Sequence, residues 1–573
     1  MAALNQVDWI IALITIAFCM SAFGNGANDV ANSYATSVAA RTLTLPQVGV
    51  MAACTEFIGA VALGSRVTDT IKNGIIDLNR FNDYPNTLVL AMGCAEFGAA
   101  FWLLTATRFG FPVSTTQTIV GALVGVGIVT KADISWAWND GSVSQVAASW
   151  GIAPAIAAGF SAILFLTIKY SVLHRKDSLK WAMRLIPVYL AFTAAVLALF
   201  IVIELPGMED LAAFGAGKAV GIILGVFAGV LLIAYVFFMP YFHRRLIKGD
   251  PRLRFYHVPL GPTLLREDPW IYFPAKGDEP VIDYYANAQS GAAVVPEAEG
   301  VEKNPNATTV GTSSAETQLS GGSSSERDQE ANREDVIKNH IIEPEERFLA
   351  PTDHLPLYNP KRMWAWTKYI LLQGVTRDCV SYDSERLKAT HEKAVVYENR
   401  VEHLWTYCQV ASAIIMSIAH GSNDVANAVG PWVAAYNTWK SGEVDSESDT
   451  PVWILAVAGI LLGGGFWFLG WRIIRSLGNR ITRVSPTRGY SMELGAAITV
   501  LLASRLGLPV STTQCLTGAT LGVALMNFDM GAVNWRQLGF ILIGWILTLP
   551  MAGLMAGILL LMSLNTPSFW DIN

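Results

Sequence analysis

The sequence predicts an all-α polytopic membrane protein: about twelve transmembrane segments in two inverted-topology repeats, with discontinuous helices or re-entrant hairpins. Three observations predict it. The composition is too apolar for a soluble chain, apolar runs recur along its whole length, and a pair of polar motifs occurs twice in the same order. Of 573 residues, 52% are hydrophobic and 15% are charged. The mean hydropathy is +0.38. A soluble chain of this length needs more charge to cover its surface. The formal charge of −6 is small for this size and gives no ground for a nucleic-acid partner. Cys19, Cys54, Cys94, Cys379, Cys408 and Cys515 lack metal-ligand spacing and are read as buried thiols. The N-terminus has no basic n-region and no small-residue cleavage site, so the first apolar run is read as a retained span.

The apolar segments fall near 8–24, 47–66, 87–107, 112–130, 149–170, 185–204, 215–241, 403–420, 451–474, 489–506, 511–528 and 537–563. Such runs are long enough to cross a bilayer, or to enter it where Gly and Pro shorten them. They divide the chain into an N-terminal membrane half (1–245), a large loop (246–400) and a C-terminal membrane half (401–573). Over 285–345 the loop is polar and rich in Ser, Gly and Glu, a composition that cannot bury a core and is expected to be disordered. The stretch 355–398 has more aromatics and is expected to hold helices against the membrane face. Basic residues crowd two connections: Lys169, His174, Arg175, Lys176, Lys180 and Arg184, then His243, Arg244, Arg245, Lys248, Arg252 and Arg254. Two apolar segments separate these clusters, so both lie on one side, which the positive-inside rule makes cytoplasmic. An odd number of crossings on each side of the loop then places both termini outside. The sequon at Asn306 faces the cytosol and is expected to be unmodified.

The internal repeat is the most specific feature. Gly26-Ala-Asn-Asp-Val-Ala-Asn-Ser33 returns as Gly421-Ser-Asn-Asp-Val-Ala-Asn-Ala428. Gly110-Phe-Pro-Val-Ser-Thr-Thr-Gln117 returns as Gly507-Leu-Pro-Val-Ser-Thr-Thr-Gln514. Glu96 and Glu493 correspond between the motifs, as do Arg108 and Arg505. Halves that run oppositely through the membrane are the usual construction of secondary transporters, whose substrate site lies near the midplane between broken helices.

Asp29 and Asp424 stand at the ends of apolar runs. A carboxylate at such a depth costs roughly 2.5–3.5 kcal/mol on insertion scales and normally faces a cavity or a cation. Gly and Asn beside each weaken the helix and are expected to free carbonyls. Carboxylate, amide and carbonyl oxygens suit a hard cation such as Na⁺. The alternative is a helix cap or an interfacial turn. Pro112-Val-Ser-Thr-Thr116 and Pro509-Val-Ser-Thr-Thr513 each carry a helix-start signal. Unpaired N–H groups and hydroxyls at a helix start suit phosphate; ordinary capping is the alternative. Neither motif holds Lys or Arg, so a co-transported cation would balance the anion and couple the two affinities reciprocally. Glu56, Glu96 and Glu493 fall within apolar runs and are coupling candidates. Arg108 and Arg505 are read as neutralising the glutamates or snorkelling to an interface. His420, where the first copy has Asn25, is read as a structural residue.

These motifs resemble the inorganic phosphate transporter family, most closely its fungal sodium/phosphate symporters. The resemblance covers about 8–245 and 400–563. It implies a helical inverted-repeat fold, outside termini and Na⁺/phosphate symport by alternating access, at the plasma membrane. It implies Na⁺ ligation around Asn28, Asp29, Asn32, Asn423, Asp424 and Asn427. It implies phosphate binding by Ser114, Thr115, Thr116, Ser511, Thr512 and Thr513, with Gln117 and Gln514 alongside. Many relatives have His where this chain has these glutamines; Gln cannot titrate near neutral pH, which favours Na⁺ over H⁺. No resident cofactor is expected, the partners are phosphate, Na⁺ and the bilayer, and the assembly is left open, with a homodimer among the options. The alternatives are proton-coupled transport of phosphate or another oxyanion, and a non-transporting phosphate sensor. An enzyme is not expected, because no nucleophile–base pair stands out.

Overall fold

Local sequence signals set the helix ends. Thr44 and Gln47 form a capping box around Pro46. Ser114 Oγ accepts from Gln117 N at 3.1 Å, and Ser511 Oγ from Gln514 N at 3.3 Å, so both Ser-Thr-Thr motifs do start helices. Gly110, with φ of 72°, ends the preceding helix in the left-handed region that glycine enters freely. The computed structural model describes residues 7–138, 142–204, 214–276, 281–285, 342–381, 384–444 and 450–566. Asn306 and most of the stretch expected to be disordered lie outside them.

The helices are, in chain order, α1 (Asp8–Asn28), α2 (Val30–Ala39), α3 (Leu45–Leu63), α4 (Ser65–Asn73), α5 (Pro85–Phe109), α6 (Thr115–Thr130), α7 (Val143–Ile168), α8 (Ser178–Glu204) and α9 (Ala216–Ile233). The loop contributes α10 (Pro360–Leu372) and α11 (Glu385–Glu392), within the stretch expected to hold helices. Then follow α12 (Asn399–Ser441), α13 (Val452–Leu469), α14 (Trp471–Leu477), α15 (Pro486–Arg505), α16 (Thr512–Leu525) and α17 (Trp535–Asn565). Each of the expected apolar segments is a helix. Among the described residues, eight helical stretches are long and apolar enough to cross a membrane. Helices α6, α12, α15 and α16 are not among them. Helices α6 and α16 are only 16 and 14 residues long, and α12 and α15 carry polar residues that lower their hydropathy; all four bury their polar motif residues inside the bundle.

One sequence reading, that Gly and Asn break the helix beside each aspartate, differs between the copies. Asp29 stands at the break between α1 and α2, whereas Asp424 lies inside α12. After Asp29 the chain continues as α2 with only a local break, where Asn32 N bonds Asp29 O at 2.9 Å. Around Asp424 helix α12 is unbroken for 43 residues, with Pro431 inside it. At about 1.5 Å per residue it exceeds a ~30 Å hydrocarbon core. The small residues after each motif are buried, so helix–helix packing rather than hydropathy sustains these turns. The second copy therefore offers side-chain oxygens and one freed helix carbonyl, that of Asn427, to which Pro431 has no N–H to donate.

Corresponding helices of the two copies pack alike. α1 packs on α5 as α12 packs on α15, α1 on α13 as α12 on α3, and α6 on α17 as α16 on α7. Helices α8 and α9 pack on each other and have no counterpart among the described helices of the second copy. Each Ser-Thr-Thr motif sits at the turn of a helical hairpin, α5–α6 or α15–α16. The feet of the first meet through Asp77 N on Asp133 O at 2.8 Å, and those of the second through Asn534 N on Ile481 O at 2.8 Å. Trp439 bonds Asp8 at 2.9 Å, Trp432 bonds Thr15 at 3.1 Å and Asn25 bonds Asp424 O at 2.6 Å. Residue numbers rise on α1 as they fall on α12, so these equivalent helices run antiparallel.

The motif glycines make the crossings possible. A Cβ on Gly26 would lie 2.0 Å from Leu462 O on α13, and one on Gly421 would lie 2.7 Å from Glu56 O on α3. Both obstacles are backbone atoms. Gly26→Val is expected to destabilise the fold by more than the ~1–3 kcal/mol of ordinary overpacking. The loss of monodisperse protein on size exclusion, relative to an exposed control such as Gly151→Val with open space around it, checks this.

Candidate functional site

The two Asn-Asp motifs and the two hairpin turns converge at one buried centre. Asp29 Oδ2 accepts from Thr115 Oγ1 at 2.7 Å and from Thr115 N at 3.2 Å. Its Oδ1 accepts from Thr513 Oγ1 at 2.7 Å and Asn32 Nδ2 at 3.2 Å. Asp424 Oδ2 accepts from Thr512 Oγ1 at 3.0 Å and lies 3.3 Å from Thr115 Oγ1. Thr115 thus stands between the two carboxylates. The site combines both halves, since Asp29 of the first is held by Thr513 of the second.

Paired bonds repeat around this centre. Thr116 Oγ1 donates to Val510 O, and Thr513 Oγ1 to Val113 O, each at 3.1 Å. Asn32 Nδ2 donates to Thr513 Oγ1 at 2.8 Å, and Asn427 Nδ2 to Thr116 Oγ1 at 3.2 Å. Asn28 holds Thr107 at 2.9 Å, as Asn423 holds Ser504 at 3.4 Å. These bonds lock each hairpin turn to the opposite hairpin and to the Asn-Asp helices. All the residues expected at the site are gathered here: Asn28, Asp29, Asn32, Asn423, Asp424 and Asn427, with Ser114, Thr115, Thr116, Gln117, Ser511, Thr512, Thr513 and Gln514, every one buried.

The electrostatics are unbalanced. Oxygens of Asp29 and Asp424 and a nitrogen of His420 lie within 4.8 Å of one another. Among the described residues, no Lys or Arg forms an ion pair with either aspartate. Two buried carboxylates this close repel unless a positive charge joins them. Asn25 Oδ1, Asn32 Oδ1, Asn427 Oδ1, Gln117 Oε1 and Gln514 Oε1 are also buried without a partner. Buried polar atoms are normally satisfied. The orphan oxygens of Asn25, Asn32 and Asn427, whose amide nitrogens bond Asp424 O, Thr513 and Thr115, lie beside the two carboxylates and fit a hard, oxygen-seeking cation.

His420 was missed as a site residue by the sequence reading. Its Nδ1 is 2.7 Å from Glu56 Oε2. Its Nε2 is 3.0 Å from Asp424 Oδ2, though poorly aligned for a hydrogen bond. Ser417 Oγ also donates to Glu56, at 2.6 Å. Of the coupling candidates, Glu56 alone reaches the centre, through His420. The spacing of His420 and Asp424, four apart on one helix, was a usable signal. The Glu56 contact, 364 residues distant, was not.

Glu96 and Glu493 lie elsewhere. Glu493 accepts from Thr36 Oγ1 and Ser37 Oγ at 2.6 Å, Ser412 Oγ at 2.7 Å and Gln409 Nε2 at 3.3 Å, tying α15 to α2 and α12. Glu96 is buried and neither carboxylate oxygen has a well-formed hydrogen bond. No ion pair joins Arg108 to Glu96, so the neutralising role does not hold for that pair; Arg108 reaches the surface at the end of α5 instead.

The phosphate transporter family matches residues 25–556, a range that contains both motif pairs. The chain is 38% identical to the phosphate-repressible phosphate permease pho-4 of Neurospora crassa, over 98% of this chain and 99% of that one. It is 27% identical to sodium-dependent phosphate transporter 2 of Homo sapiens, over 96% and 97% of the two chains. A solved structure titled the sodium-dependent phosphate transporter shares the fold, with a TM-score of 0.63 and 23% identity over 97% of this chain and 100% of that one. A match that runs through both halves and the centre they build places this chain in the phosphate transporter family.

Proposed function

We propose that the chain carries out sodium-coupled symport of inorganic phosphate by alternating access. The observation that carries this reading is the central pair of buried carboxylates, one from each repeat, ringed by hydroxyls and by amide oxygens without a partner, and paired among the described residues with no Lys or Arg. Na⁺ would bind at Asp29 and Asp424 with oxygens of Asn28, Asn32, Asn423 and Asn427. Once Na⁺ offsets the carboxylates, the threonine hydroxyls that now bond them are released to donate to phosphate. Ser114, Thr115, Thr116, Ser511, Thr512 and Thr513, with Gln117 and Gln514, would then hold the anion at the two helix N-termini. The relatives named as phosphate transporters support the same reading.

The antiparallel course of α1 and α12 supports inverted-topology repeats. The basic residues support the orientation. Ser178 Oγ, within the first basic connection, donates to Glu398 at the end of the long loop at 2.9 Å, and the second basic cluster opens that loop, so both clusters meet the loop at one end of the bundle. That end would be cytoplasmic, with both termini outside at the plasma membrane. Asn306 is then expected to carry no glycan in protein from a eukaryotic host, which peptide mass spectrometry checks.

Labelled phosphate uptake by proteoliposomes tests the function. Replacing Na⁺ by choline at fixed pH is expected to reduce uptake to the level of protein-free vesicles. Undiminished uptake would contradict sodium coupling and favour the proton-coupled alternative. Equal competition by sulfate would contradict phosphate specificity.

A further inference from the structure

Away from the centre, the face between α1 and α5 carries an apolar groove of about 420 Å³, lined by Met20, Phe97, Phe101, Leu104, Thr105 and Arg108 among others. Phe97 and Phe101 are 42% and 44% exposed, so the groove opens sideways, where lipid tails lie. A second groove of about 380 Å³ shares Met20 and Leu104 and runs on past Cys19, Phe23 and Leu461. Together they make an apolar track along α1 that ends at one charged residue, Arg108.

That end is positively charged, with Arg108 beside Arg472. Arg472 Nη1 donates to Arg108 O at 2.8 Å, which brings α14 against the end of α5. Arg472 Nε is buried with no partner. The adjacent Arg377 and Arg475 are paired, both with Glu343 and the former also with Glu345. Among the described residues no carboxylate forms an ion pair with Arg108 or Arg472. Burial and the guanidiniums of Arg108, Arg377 and Arg475 hold Arg472 below its ordinary value, as expected where like charges gather without an anion. Asp378 O accepts from Arg475, so this is the membrane face that meets the long loop.

We propose that this groove binds an anionic phospholipid of the long-loop-side leaflet. An acyl chain would lie along Met20, Phe97, Phe101 and Leu104, and the phosphate would be held by Arg108 and Arg472. Basic pockets between transmembrane helices at such a face suit anionic headgroups. Free inorganic phosphate shares the headgroup chemistry but leaves the apolar track unfilled, so the two sources can be separated.

The test uses the purified full chain in detergent micelles, titrated with labelled dioleoyl phosphatidylserine. Phosphatidylserine is expected to bind, and dioleoyl phosphatidylcholine to compete poorly. Arg108→Gln with Arg472→Gln is expected to lower the affinity roughly thirtyfold, from about one basic-residue increment each. Thr105→Trp, which fills the groove and keeps both arginines, is expected to lower it as well. Inorganic phosphate and glycerophosphoserine, which lack the acyl chains, are expected not to displace the lipid. Equal binding of phosphatidylcholine, or unchanged affinity in the double variant, would overturn the proposal. Displacement by inorganic phosphate together with no effect of Thr105→Trp would make this a free-anion site instead, and would overturn it too. Size exclusion confirms the fold of each variant. If the double variant is not monodisperse, the exposed single change Arg108→Gln and Thr105→Trp decide the outcome.

Discussion

Asp29→Asn and Asp424→Asn each reduce sodium-dependent phosphate uptake by roughly a hundredfold or more, the scale expected when one charge of a buried ionic group is removed. The fold survives the change. In Asp29→Asn one amide oxygen can still accept from Thr115 N and Thr115 Oγ1, which bond the same carboxylate oxygen. The new NH₂ then faces Thr513 Oγ1, which can accept while it donates to Val113 O, and the Asn32 amide, which can turn over to present its unpartnered Oδ1 in place of Nδ2. In Asp424→Asn the groups bonding Oδ2 keep an acceptor in the same way. What is lost is half of the negative charge that makes the centre a cation site. Surface expression or monodispersity at the wild-type level, with uptake at background, is the expected pair of measurements. Wild-type uptake in both variants would show that the carboxylates do not bind the coupling ion.

The second large effect is on stability. Glu493→Ala leaves Thr36 Oγ1, Ser37 Oγ, Ser412 Oγ and Gln409 Nε2 buried without their acceptor. Unmet buried donors cost about 1–3 kcal/mol each, and repartnering recovers part of this. A net loss of about 3–5 kcal/mol is expected, seen as a clear fall in the melting midpoint. Glu493→Gln behaves differently. Its amide oxygen takes the place of Oε1, which accepts from Thr36, Ser37 and Gln409, and its NH₂ can donate to Ser412 Oγ. A loss of only about 1 kcal/mol is expected. Equal melting midpoints for Ala and Gln would contradict the structural role drawn for this carboxylate.

These two cases mark what could be read in the sequence. Apolar runs located the principal helices of the bundle, though not the short α2, α4 and α14, because hydropathy over about twenty residues reports burial in lipid directly. The duplicated motifs located the centre, because the same polar residues recurring in equivalent places need a shared purpose. Interior packing was less legible. The turns after Asp29 and Asp424 are rich in Ala, Asn, Ser and Gly, and Pro431 looks like a helix end. They stay helical because close crossings at Gly26 and Gly421 bury them. The Glu56–His420–Asp424 chain joins residues from α3 and α12, a contact that neither segment discloses alone. The correspondence of Glu96 with Glu493 was correct in register, yet the partners differ. Glu493 has hydroxyls from Thr36, Ser37 and Ser412 around it, whereas Glu96 faces α1 and α12 without a well-formed bond. Repeat equivalence fixes position on a helix and leaves the opposing side chains free to diverge.

The central claim is coupling: one buried centre binds cation and anion together, and neither moves productively alone. Radiolabelled Na⁺ flux tests it most directly. Proteoliposomes with equal Na⁺ on both sides and a clamped membrane potential are given an inward phosphate gradient. Net uptake of labelled Na⁺ is expected to rise with the phosphate gradient and to be absent in Asp424→Asn. Na⁺ flux that ignores the phosphate gradient would contradict coupling.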